Sequence, residues 1–310
     1  MPATPDDVLP RALPEEEWRF RAAAHAERLD AWLTPHRERR ARGAAHPVLD
    51  FLFTYYSEPP ARLRRWHPGV GTALLGAGAR ERLDWPFYGE VRAVDAGGRE
   101  VTAVGLDAVR FLDRRGPGVA RIAELLSATA GRTPRFGCFG LHEWAMVYRP
   151  DDGEVRHDVP LRLGEEGTAA VVDRARVQCS HGDAYRFFSR RGRPLNELRP
   201  TRENQVELEQ PGCLHATMDL YKWCYKLAPA VPGELAADCF ALAVEVRELD
   251  MRASPYDLAG LGYPPVRIET PEGRAEYVAA QRGFAGRGAV LRGRLLDVCA
   301  ALPAARTVGA

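Results

Sequence analysis

The chain has almost no lysine. Of its 43 basic residues, only Lys222 and Lys226 carry an ammonium group, and the rest are arginine. The formal net charge is only +1. Such a molecule does not coat an anion by bulk charge, so any anion-binding face must be a local patch. A GC-rich coding bias accounts for the arginine excess, and phosphate recognition through bidentate guanidinium forks is the functional alternative. No run of about 18 apolar residues occurs, so no membrane span and no membrane partner are expected. The opening "MPATPDDVLPRALPEEEW" lacks the basic start and apolar centre of a secretory leader, which predicts a cytoplasmic protein. Six cysteines are too few to staple 310 residues. In a reducing compartment they are expected as core fillers, ligands or nucleophiles. No internal repeat is found. The zinc-hydrolase pattern H-E-x-x-H is absent, because "HEWAM" fails at its last position.

What is present suits a sizeable core: hydrophobic residues make up 45% and charged residues 27%. The segment patterns predict a mainly α, multi-helix globular domain with a minor β-hairpin element. Residues 1–13 read as a loose tail, 14–303 as one domain and 304–310 as a second tail. Pro14 followed by three acids opens a helix that Pro35 is expected to break or kink. "PPARLRRW" restarts a helix at Pro60. Two alternating runs around Ala96-Gly97-Gly98 have hairpin grammar. Around Gly116-Pro117-Gly118 two separate helices are expected. A helix is favoured from Leu141, a small strand over 154–164, and a loop over 190–212. Two amphipathic helices, "CLHATMDLYKWCYKLA" and "GELAADCFALAVEVRELDMRA", are divided by Pro229 and Pro232. The chain closes on one long helix or a broken pair.

Pro68-Gly69-Val70-Gly71-Thr72-Ala73 matches the turn of a helix-hairpin-helix. There, glycines let backbone N–H groups face a phosphate and the next helix adds its dipole. On that reading Gly69 and Gly71, flanked by Arg64 and Arg65, would hold DNA. A Pro-Gly helix terminator is the plain alternative. The loop around Arg190 and Arg191 would follow a DNA backbone or remain a solvated surface.

Three short stretches share one composition. Cys138 and His142, Cys179 and His181, and Cys213 and His215 each stand close together. Each pair is followed by an acid: Glu143, Asp183 or Asp219. Each acid has aromatic neighbours, among them Trp144, Tyr185, Tyr221 and Trp223. Thiolate with imidazole suits zinc or iron, so the six Cys and His residues form an alternative metal-ligand set. Plain burial of small cysteines is the competing reading. A base-binding pocket is the third. A flipped base is held between aromatic faces and read by polar groups, here the three histidines. A carboxylate then stabilises the oxocarbenium-like sugar and orients water. Asp183 and Asp219 lead that role and Glu143 follows. Lys222 would serve a Schiff-base lyase. "RELDMRASPYDL" is expected to tie a helix end to the following loop by ion pairs.

"HPVLDFLFTYYSEPPARLRRWHPGVG", "RFGCFGLHEWAMVYR", "QPGCLHATMDLYKWCYKL" and "RELDMRASPYDL" resemble a bacterial family commonly labelled 3-methyladenine DNA glycosylase. The resemblance covers most of residues 15–300 and its motifs are long. It implies a hydrolase that excises alkylated purines from DNA during repair, with damaged DNA as partner and no cofactor. It assigns no catalytic residue.

Overall fold

The computed structural model describes residues 9–151 and 159–308, with side chains to residue 303. It is a mainly α domain with a small four-stranded sheet. The expected hairpin forms from β3 (Tyr88–Val94) and β4 (Glu100–Leu106), antiparallel in register from Tyr88↔Leu106 to Val94↔Glu100. The sheet is larger than that hairpin. β1 (Arg11–Leu13) pairs in parallel with β2 (Thr72–Leu74) and touches β3 through Arg11↔Val94, while β2 pairs with β4. The four strands therefore close on themselves. Ala12, Ala73, Ala93 and Ala103 pack together there, since so narrow a ring leaves no room for larger side chains. The loose tail expected over residues 1–13 is corrected at its end, because Arg11–Leu13 is a strand.

Helix α1 (Glu15–Ala41) begins after Pro14, with Glu15, Glu16 and Glu17 in its first turn, where acids complement the helix dipole. It continues through Pro35 as one helix, so the expected break does not occur. A proline inside a helix costs about 3 kcal/mol. Here Leu29 and Leu33 before it and His36 after it are buried on the same core, and their burial offsets that cost. The short α2 (Phe51–Tyr55) and α3 (Pro60–Leu63) follow. The two helices expected around Pro117 are likewise one, α4 (Ala108–Ala130). Phe111 on one side of Pro117 and Val119, Ile122 and Leu126 on the other form a single buried face.

Next come α5 (Leu141–Met146), α6 (Gly164–Asp173), α7 (Gly182–Tyr185) and α8 (Gln205–Leu208). Of the strand expected over 154–164, residues 154–158 lie outside the described residues. Leu161 makes only an isolated bridge to Tyr256. α9 (Leu214–Lys226) and α10 (Gly233–Arg252) pack on one another. α11 (Pro271–Val308) is one unbroken helix that packs on α4, α9 and α10. Its backbone stays helical to Val308, which shortens the tail expected over 304–310. Its buried residues Tyr277, Gln281, Ala285, Leu291, Leu295 and Leu302 recur at the helical period. No helix among the described residues is long and apolar enough to cross a membrane.

α9 is enclosed along its first two turns, Leu214 through Tyr221 all being buried. That run carries His215 and Asp219 into the interior. A buried polar group must find a partner there, so α9 sets where the chemistry sits.

Candidate functional site

The three Cys/His stretches do meet. Cys138 lies in the turn before α5, Cys179 before α7, and Cys213 caps the N-terminus of α9. The Cys138 turn is tight: Phe139 and Gly140 both have positive φ (49° and 73°), and Leu141 N–H bonds the Cys138 carbonyl at 2.8 Å. Cys138, Cys179, Cys213, His142 and His215 line one hollow of about 290 Å³, walled also by Tyr277 and Gln281 from α11. The His142 ring meets His215 edge-on at 4.5 Å, and His215 stacks on His181 at 5.1 Å. No disulfide forms. Burial pushes the Cys179 and Cys213 thiols up, so both are protonated. Burial, with the charge of His142, keeps His215 neutral. For His142 burial acts downward, but the Asp250 carboxylate at 2.9 Å outweighs it and raises the ring.

A second, larger cleft of about 900 Å³ opens elsewhere on α7 and α9. Asp183, Tyr185, Lys222 and Trp223 line it, with Tyr55 and Tyr225. Arg121, Arg186, Arg193, Arg202 and Lys226 add positive charge to the same walls. Arg121 and Arg193 bond the carbonyls of Arg202 and Arg186, which does not neutralise them. Asp183 is 39% exposed and accepts from Lys222 Nζ at 3.2 Å.

A row of buried groups links the two spaces. His181 Nδ1 accepts from Ala184 N–H at 3.2 Å, and its Nε2 faces Asp219. Asp219 also accepts from the Tyr56 hydroxyl at 2.9 Å and from the Lys222 ammonium. Burial would raise the Asp219 pKa, yet the charge of Lys222 and the His181 bond hold it well below the usual carboxylate range. For Lys222 burial acts downward, and Asp219 with Asp183 more than reverses it. Lys222 is thus placed as the ion-pair partner of the two carboxylates.

Several candidates sit elsewhere. Glu143 is buried against Arg247, whose Nη1 donates to it at 3.0 Å and to Asp250 at 3.2 Å. It faces neither space and belongs to an ion-pair cluster. Asp250 turns inward to His142 and Arg247 rather than tying the helix end to a loop; Arg252 does that, donating to the Pro264 carbonyl at 2.9 Å. Trp144 is a core residue, fully enclosed with its Nε1 donating to the Ala253 carbonyl. Tyr221 packs among Tyr56, Tyr225 and Phe240. Neither Arg190 nor Arg191 lines the cleft, and Arg191 pairs with Asp151 at 3.2 Å.

The helix-hairpin-helix expectation is overturned. The turn at Gly69 and Gly71 leads into strand β2, so no second helix points its N-terminus at a phosphate. Val70 N–H is already bonded to the Ala230 carbonyl at 2.8 Å, and Arg11 N–H to that of Gly71 at 3.0 Å. Arg64 is paired with Asp30, and Arg65 lies over the Trp85 ring. The residues missed in the sequence are Arg121, Arg202 and Tyr225 of the cleft and Asp250 behind His142. Their local patterns are those of ordinary helix and loop, and only chain folding assembles them. No protein-family model, curated protein or solved structure matches this chain.

Proposed function

We propose that the protein is a DNA glycosylase that hydrolyses the N-glycosidic bond of an alkylated purine in the cleft between α7 and α9. The observation that carries this reading is the cleft's composition. Six cationic side chains and a single partly exposed carboxylate, Asp183, line it in a chain of net charge +1. Concentrated positive charge selects a polyanion, and phosphate contacts supply most of the affinity of nucleic-acid binding. Aromatic faces at Tyr55, Tyr185 and Trp223 suit an extruded base. A volume of about 900 Å³ lies within the range of ligand pockets, about 300–1,000 Å³.

Alkylation leaves the purine cationic. Departure of the base then requires no proton donor, and the ring faces attract the cation. Asp183 orients and deprotonates the attacking water and offsets the positive charge that develops on the sugar. Lys222 holds Asp183 in place, and Asp219 with His181 holds Lys222. Asp219 is a positioning residue, since its carboxylate is 1% exposed.

Incubation of the purified protein with methylated DNA, followed by chromatography of free base, tests the reading. Release of alkylated purine, lost in Asp183→Asn while DNA binding persists, is the expected result. A wild-type protein that binds no DNA and releases no base overturns it.

A further inference from the structure

The thiol-lined hollow has no part in the cleft chemistry, yet its side chains are arranged around one another with specific geometry. His142 Nδ1 lies 3.5 Å from Cys138 Sγ. Two donors bound to one tetrahedral ion, at about 2.1 Å through nitrogen and about 2.3 Å through sulfur, stand about 3.5 Å apart. The other ring nitrogen of His142 is 2.9 Å from the Asp250 carboxylate. A carboxylate beside the second nitrogen is common behind a metal-binding imidazole, and here the contact is an ion pair without hydrogen-bond geometry. Asp250 is itself held by Arg247. Cys179 and Cys213 line the same hollow from two other segments. Among the described residues His142, His215 and Asp250 bring donor atoms within 4.8 Å of one another, a group on the Asp250 side of the ring that includes none of the three thiols. Gln281, also on the wall, keeps a buried carboxamide oxygen with no hydrogen-bond partner.

The neighbouring group of His181, Glu209 and Asp219 is equally close-set. It differs in one respect: the Lys222 ammonium already supplies its cation, and both nitrogens of His181 are engaged. Arg135 is on the wall of the hollow, but among the described residues the thiols' hydrogen bonds are to His142 and to the His181 carbonyl, not to a lysine or arginine.

We propose that the hollow is a metal site in which the thiolates of Cys138, Cys179 and Cys213 and Nδ1 of His142 hold a thiophilic centre, either zinc or iron. Thiolate and imidazole are the donors that these metals favour. Binding displaces the thiol protons, and the Nδ1 proton where the ring carries one, to solvent. About 290 Å³ is several times the roughly 30 Å³ share of one water, so a further ligand such as inorganic sulfide also fits beside the metal. The site is independent of the glycosylase reading, because metal content is measured without turnover.

The test is elemental analysis of the full-length protein, purified without chelator under nitrogen, and again after stripping and reloading with Zn(II) or with Fe(II) and sulfide. The expected result is about one zinc per chain, or iron with matching sulfide. The first result identifies a single ion and the second a cluster; both support the site. Cys138→Ser and Cys213→Ser should lose the metal. Cys299→Ser, on α11 and away from the hollow, should keep it. Should the first two variants fail to fold, wild-type protein reloaded with Co(II) decides through its thiolate-to-metal charge-transfer absorption. Wild-type protein that holds no stoichiometric metal in any preparation, or folded cysteine variants that hold as much as wild type, would overturn the proposal.

Discussion

His181 Nε2 sits 3.2 Å from Asp219 Oδ2 where both side chains are only 1% exposed, and the Lys222 ammonium closes on the same oxygen. A buried carboxylate so placed is a structural requirement before it is a chemical one. Removing one partner of a buried ion pair costs about 3–5 kcal/mol, since the other charge is left uncompensated. Asp219→Asn is therefore expected to lower the unfolding free energy by roughly that amount in urea melts. A melt indistinguishable from wild type would show that the pair is not formed in solution.

Asp183→Asn should behave in the opposite way. Its carboxylate is 39% exposed, and ion pairs at that depth contribute about 0–1 kcal/mol. Thermal stability should stay close to wild type while base release falls at least about a hundredfold, the usual scale of a lost general base. Measuring both variants side by side separates the positioning residue from the catalytic one.

The two carboxylates illustrate what could be read in the sequence. Helix starts such as that after Pro14, the hairpin and the three Cys/His stretches follow from local pattern. Which residue of a stretch faces which space was not legible. Asp219 and Tyr221 are two apart on α9, yet one joins the row linking the two spaces and the other packs in the core. Trp144 looked like a base platform but is needed at Ala253. The prolines misled for a related reason. Local chemistry says stop at Pro35 and Pro117, while burial of a continuous face, visible only in three dimensions, carries the helix on.

Charge at the cleft yields a salt test. If Arg193 and Arg202 contact phosphate, each alanine substitution should reduce the slope of log K against log salt by about 1. Arg64→Ala should leave the slope unchanged, because that guanidinium is spent on Asp30. Fluorescence anisotropy with a labelled duplex at several salt concentrations reads this directly. Equal slopes for all three variants would move the DNA face elsewhere.

His67 should make stability depend on pH. Burial, then the charge of Arg82, pushes its pKa down to about 3, against 6.5 for an unperturbed ring. Because the folded value lies below the unfolded one, the unfolded chain takes up the proton first. The stability contributed by the neutral ring is whole above pH 6.5 and is lost progressively as the pH falls towards about 3. His67→Gln removes this contribution, so its unfolding free energy should decline less steeply than wild type between those values. Parallel curves would mean that the ring is not held neutral.

Gly69 decides whether the Pro-Gly turn is a fold element or a phosphate clamp. Its φ is +82°, and a Cβ there would come within 2.6 Å of Pro232 Cγ, at the start of α10. A non-glycine residue in the left-handed region costs about 1–3 kcal/mol before any clash is counted. Gly69→Ala should therefore destabilise the protein by at least that range. Gly71 also has positive φ but meets nothing within 4 Å, so Gly71→Ala should cost less than Gly69→Ala. A phosphate clamp predicts a different pattern, with DNA affinity falling in both variants and stability largely kept. The Val70 N–H and the Gly71 carbonyl of this turn are already bonded, to Ala230 and Arg11. Weaker folding with unchanged affinity per folded molecule is the outcome that this geometry requires.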